Sequence, residues 1–176
     1  MDAGSRLERG VQLLSLLQAT VIDVRGTAAD SLLLESVLAA AESILTYRRR
    51  YRSHAQLETV LDLLLVDDGN PRSLVFGLDR LCDNLDALPV GPDRRLREEQ
   101  RLVLEASTAL RLADTGALAT QVESGHRPAL DSFLALLRGK LVEAGDAVDR
   151  VHFVHPLPRS SLVGPADSRV RGNGAE

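Results

Sequence analysis

The chain has no tryptophan, one methionine, one cysteine and few aromatic residues of any kind, 3% of 176. A lone cysteine, Cys82, excludes an intrachain disulfide and cannot build a thiolate metal cage. It falls among Leu78, Leu81 and Leu85, where it reads as a small packing residue. Uncharged apolar runs are short of the ~20 residues that span a bilayer. Met1-Asp2-Ala3-Gly4-Ser5-Arg6 shows no apolar h-region, so no signal peptide is expected. A reducing, cytoplasmic and soluble setting follows as the expectation. The formal net charge of -4 offers no global field for nucleic acid or an anionic membrane. Also absent are the phosphate-loop GxxxxGK[ST], the dinucleotide GxGxxG, the nucleophile elbow GxSxG and CxxC.

What is present is leucine, valine and alanine within a hydrophobic content of 44%, the palette of packed helices. Leu7, Val11, Leu14, Leu17 and Val21 predict a first helix over about 6–24, stopped by Gly26. Ser5 and Glu8 fit a capping box for it; the alternative puts Glu8 and Arg9 mid-helix in buried charge pairs. Asp30 can cap a second helix carrying Leu34, Val37, Ala41 and Ile44 or Leu45 as far as Tyr51. After a break near Ser53-His54, Leu57, Val60, Leu61, Leu64 and Leu65 predict a third. Asp67 to Pro71 read as a loop, with Pro71 in the first turn of a fourth helix.

That fourth helix carries Leu74, Leu78, Leu81, Leu85 and Leu88 and ends at Pro89 to Asp93. A fifth carries Leu96, Val103, Ala106, Leu110 and Ala113 and breaks at Gly116, with a short piece over 118–123. The last carries Leu130, Leu134, Leu137, Leu141, Ala144, Val148 and Val151. No run alternates well enough for a strand. The expectation is an all-α antiparallel bundle of five to six helices over 1–155 and a disordered tail over 156–176, rich in Pro, Ser, Gly and Arg.

The chemically suggestive stretch is Tyr47-Arg48-Arg49-Arg50-Tyr51-Arg52. On a helix the two tyrosines share a face, and Arg48 and Arg52 share the next. One reading is an anion site of guanidinium forks; the other is a solvated helix end complementing the dipole for ~0.3–1 kcal/mol per cation. Arg72, placed in a helical first turn, sits against the dipole and calls for a partner. A bound anion, a carboxylate or a structural pairing with Asp67 or Asp68 would serve. Asn70 and Ser73 suit turn and cap. His152 and His155 lie near Glu143 and Asp149 but lack a third ligand, and His54 and His126 stand alone. No catalytic residue, metal site or cofactor is assigned, so a self-contained enzyme is not expected.

Arg6-Leu7-Glu8-Arg9, Tyr47-Arg48-Arg49-Arg50-Tyr51 and Asn70-Pro71-Arg72-Ser73, in this order, resemble the bacterial alpha-E family, an all-helical domain with a recurrent Glu-Arg motif. The segment 46–88 carries the likeness best, and Phe153-Val154-His155 is similar to the close of such domains. The resemblance extends from about Asp2 to His155 but matches the C-terminal half of the usual domain. Gly77 stands where the family often has glutamine. The resemblance implies work alongside a circularly permuted ATP-grasp ligase and a transglutaminase-like protein, in ATP-dependent peptide or amide ligation. It assigns Arg48, Arg49, Arg50, Arg52, Arg72, Tyr47 and Tyr51 to anion or partner binding. Glu8, Arg9, Asn70 and Ser73 form an interhelical polar network in this reading. The bundle would pair with its missing N-terminal helical half or self-associate. Two alternatives stand beside it: an active site completed by those missing helices, and a truncated fragment without function.

Overall fold

A computed structural model describes residues 2–87 and 95–152, so the expected end of the fourth helix at Leu88 and the tail from Pro156 lie outside the described residues. The described chain is all-helical. Its helices are α1 (Asp2–Val21), α2 (Thr27–Ala40), α3 (Ile44–Tyr51), α4 (Leu57–Leu61), α5 (Leu74–Asp86), α6 (Glu98–Arg111), α7 (Thr115–Ala119) and α8 (Pro128–His152). A π-turn over Asp62–Val66 extends α4. Among the described residues no helix is long and apolar enough to cross a membrane.

Four long helices form the load of the core. Gln18 of α1 meets Asp131 at the start of α8 at 2.8 Å, and Arg138 further along α8 reaches back to Ser15 at 3.2 Å, so these helices run antiparallel. Lys140–Glu105 at 2.5 Å and Arg150–Glu98 at 3.2 Å make α8 antiparallel to α6. Arg111–Asp79 at 2.6 Å and Gln100–Asp86 at 2.8 Å do the same for α6 and α5. With α1 packed on α5, the ring closes with every neighbour antiparallel. The predicted stripes fill it: Leu7, Leu14 and Leu17 face Leu74, Leu78, Leu81 and Leu85, with Leu130, Leu134, Leu137 and Leu141 from α8. Gly10 lets α1 approach closely, since a Cβ there would lie 3.0 Å from Leu141 Cδ1 and 3.1 Å from Leu74 Cδ1.

The expected single helix from Asp30 to Tyr51 is two helices. α2 ends in a Schellman motif, with Ser43 N–H donating to Leu38 O at 2.8 Å and Glu42 N–H to Ala39 O at 3.0 Å. The left-handed position of that motif, usually glycine, is Glu42 at φ 51°. This break, together with α7, raises the helix count above the five or six expected. α7 begins before the predicted Leu118 because Asp114 caps it, accepting from Ala117 N at 3.0 Å. α1 begins at Asp2, so Ser5 is already helical and forms no capping box. α5 is capped by Ser73, which accepts from Phe76 N at 3.2 Å, so Pro71 and Arg72 belong to the preceding turn rather than the helix.

Candidate functional site

Consecutive residues on a helix diverge by about 100° each, so a run of cations cannot aim at one point. α3 shows this. Tyr47 is buried, and its hydroxyl lies 2.6 Å from Thr59 Oγ1 and accepts from Gln56 N at 3.2 Å. Tyr51 stacks at a tilt on Tyr47, centroids 4.8 Å apart, and donates to Asp62 Oδ2 at 2.7 Å. Burial, reinforced by the Asp62 bond, pushes the Tyr51 hydroxyl well above the ordinary phenolic range. Arg50 pairs with Asp67, whose hydrogen bond and charge hold the guanidinium more firmly protonated. Arg48 leans to Glu35 at 3.6 Å on the outer face. Arg49 and Arg52 are exposed, and no described residue pairs with either. Tyr47 therefore clamps α3 to α4, and Tyr51 and Arg50 clamp it to the π-turn and its end, while the other arginines fan outward.

Arg72 is elsewhere. It pairs with Glu42, not with Asp67 or Asp68, and both partners are about half exposed or more. Asn70 is buried; its Nδ2 donates to Leu63 O at 2.9 Å and its Oδ1 accepts from Arg72 N at 3.1 Å. The Asn70–Ser73 segment is thus a built turn that stops one helix, starts the next and presents Arg72 between them.

What Arg72 faces is a cleft of about 330 Å³ between α1, the α2–α3 turn and the start of α5. Arg6, Arg9, Gln12, Glu42 and Arg72 supply its polar lining, and Leu13, Leu16, Leu74 and Leu78 its apolar walls. Arg9 lies one helical turn after Arg6 and donates from Nε to Ser5 O at 3.2 Å. Glu8 turns away, accepting from Gln12 Nε2 at 3.2 Å on the exposed surface, so it is in no buried charge pair. Gly77 also lines the cleft, and a Cβ there would meet nothing within 4 Å. Two of the three motifs read from sequence therefore meet here, Arg9 from the first and Arg72 from the third.

Sequence reasoning assigned no role to Arg6, although it opens the first motif, and missed Glu42, which nothing local marks. It also missed Glu99, fully buried at the start of α6 with Arg97 Nε 3.0 Å from its carboxylate. Arg97 donates in addition to Leu85 O at 2.6 Å, which ties α6 to the end of α5. Cys82 is half-buried against the core, and burial, then Asp79, pushes its thiol upward.

Residues 1–153 match the Alpha-E family, described as "a predicted alpha-helical domain with a conserved ER motif". The chain belongs to the Alpha-E family. Similar stretches occur in the uncharacterized proteins Mb2597 of Mycobacterium bovis and Rv2567 of Mycobacterium tuberculosis, each 38% identical over 170 residues. The alignments cover 97% of this chain but 19% of either relative, so the chain spans about a fifth of their length. No solved structure matches the chain. Of the residues in the Glu-Arg motif as it stands here, Arg9 lines the cleft and Glu8 does not.

Proposed function

We propose that this Alpha-E domain is a helical accessory domain that recognises an anionic group of a substrate or partner in the α1–α5 cleft. The carrying observation is the convergence of Arg6, Arg9 and Arg72 on one concavity with apolar walls. Guanidinium groups present planar donor pairs matched to carboxylate or phosphate, and a concave setting shields such pairs better than an open face. The family resemblance supplies the context: a peptide or amide ligation system built around a circularly permuted ATP-grasp protein, with a transglutaminase-like protein as a further partner. In that setting the domain docks and orients; the ligase performs the chemistry. That the relatives are about five times longer than the aligned stretch fits a module that works within a larger assembly.

The test is co-purification of the domain with the ATP-grasp protein, and assay of ligation with and without it. Association that is lost in an Arg9→Ala/Arg72→Ala double variant supports the reading. No association, together with ligation unchanged by the domain, defeats it.

A further inference from the structure

Resting on the anion-recognition reading above, we infer that the cleft takes an acidic peptide segment and that Glu42 is its internal competitor. Three observations lead there. Arg72, at the mouth, already holds a carboxylate, that of Glu42. Glu42 holds this place from a backbone conformation that disfavours it, φ 51° in a position that glycine usually occupies. Arg52 ends α3 in the same conformation, but Glu42 alone of the two sits at the rim of the cleft and carries the carboxylate that Arg72 holds.

The carboxylate of Glu42 is also easy to displace, its side chain being 65% exposed. Ion pairs this open to water shift an equilibrium by only about two- to fivefold. A ligand carboxylate can therefore take over Arg72 with little loss, while Arg9 lines the α1 side of the same cleft for a further acidic group.

The walls decide the class. About 330 Å³ is far more space than one inorganic anion fills. Leu13 and Leu16, both only partly buried, would lie bare beside a phosphate, whereas a peptide can lay an apolar side chain on them and a carboxylate on Arg72. The inferred ligand is a short segment that mixes glutamate or aspartate with aliphatic residues.

The probe is a fluorescein-labelled peptide alternating glutamate and leucine, followed by anisotropy at low salt, with its glutamine counterpart and inorganic phosphate as comparators. The wild-type domain should bind the glutamate peptide and not the glutamine one. Glu42→Gln should tighten binding about two- to fivefold, and the gain should vanish in an Arg72→Ala background. Glu35→Gln makes the same charge change beside Arg48, away from the cleft, and should leave affinity unchanged; thermal melts confirm that each variant is folded. If the peptide binds and Arg9→Ala weakens it, but Glu42→Gln does not tighten it, the competitor role is overturned and anion recognition stands. If the glutamine peptide binds equally, or phosphate competes as strongly as the unlabelled glutamate peptide, the acidic-peptide class is overturned. If no variant binds any probe, the anion-recognition reading falls with it.

Discussion

The side-chain amide of Asn70 donates to the carbonyl oxygen of Leu63 at 2.9 Å, in a site where Asn70 is 2% exposed. Leu63 lies in the π-turn, among the helix-end carbonyls that have no partner within the helix. Asn70 supplies that partner and holds the Arg72 amide with its other atom. The Asn-Pro-Arg-Ser motif is therefore a hinge piece fixing two helix ends, from which one side chain reaches the cleft.

Replacing Asn70 by Ala leaves the Leu63 carbonyl buried and unpaired. The expected loss is about 1–3 kcal/mol of unfolding free energy. Arg48→Ala, which breaks an exposed pair with Glu35, should cost about 1 kcal/mol or less. Urea denaturation of the two variants side by side checks the order.

Arg52 ends α3 in the left-handed region at φ 49°, and no described residue pairs with its side chain. Arg52→Gly removes the steric cost without removing an ion pair or side-chain hydrogen bond to a described residue and should raise stability by about 1 kcal/mol. A rise in the urea midpoint at constant slope is the expected reading.

Alkaline stability should depend on Tyr51. Its hydroxyl titrates at a higher pH in the folded state than in the unfolded chain, so the folded state holds this proton longer. Its contribution is complete below pH ~10, the unfolded phenolic value, and declines as pH rises from there toward the folded value. Tyr51→Phe should flatten the decline above pH ~10 while lowering stability near neutrality through loss of the Asp62 bond. Denaturation series from pH 7 to 11 on both proteins measure this.

Gly77→Gln puts a side chain where a Cβ meets nothing, and glutamine is a better helix former by roughly 0.5 kcal/mol. The variant should fold at least as well as the parent while partly filling the cleft, so peptide affinity should fall with no loss of thermal stability. Anisotropy and a melt on the same sample separate the two effects.

Much of this architecture was legible in the leucine spacing, and the reasons for the exceptions are local. Leu74, Leu78, Leu81 and Leu85 recur at helical intervals and are all buried, because a stripe of that width has one way to hide from water. The break at Glu42 was invisible, since the apolar stripe continues through it and the left-handed residue is a glutamate instead of a glycine. Asp114 overrode Gly116 as the boundary signal because a side-chain cap starts a helix that one glycine does not prevent.

The candidate site was half legible. Arg72 stood out as a cation in need of a partner, and it has one in Glu42; that pairing joins segments whose approach no local pattern reports. The run at 48–52 drew attention by density alone, yet an eight-residue helix spreads its side chains around the axis. Arg9 and Arg72 meet only because α1 and α5 pack, a fact of the tertiary fold.

The most direct test of the cleft as the recognition site is an amide NMR titration of the ¹⁵N-labelled domain with the glutamate–leucine peptide. Shifts concentrated at Arg9, Gly10, Glu42, Arg72 and Gly77, and abolished in Arg9→Ala/Arg72→Ala, are the predicted result. Shifts confined to Arg48, Arg49 and Arg52, unchanged in that double variant, would contradict it.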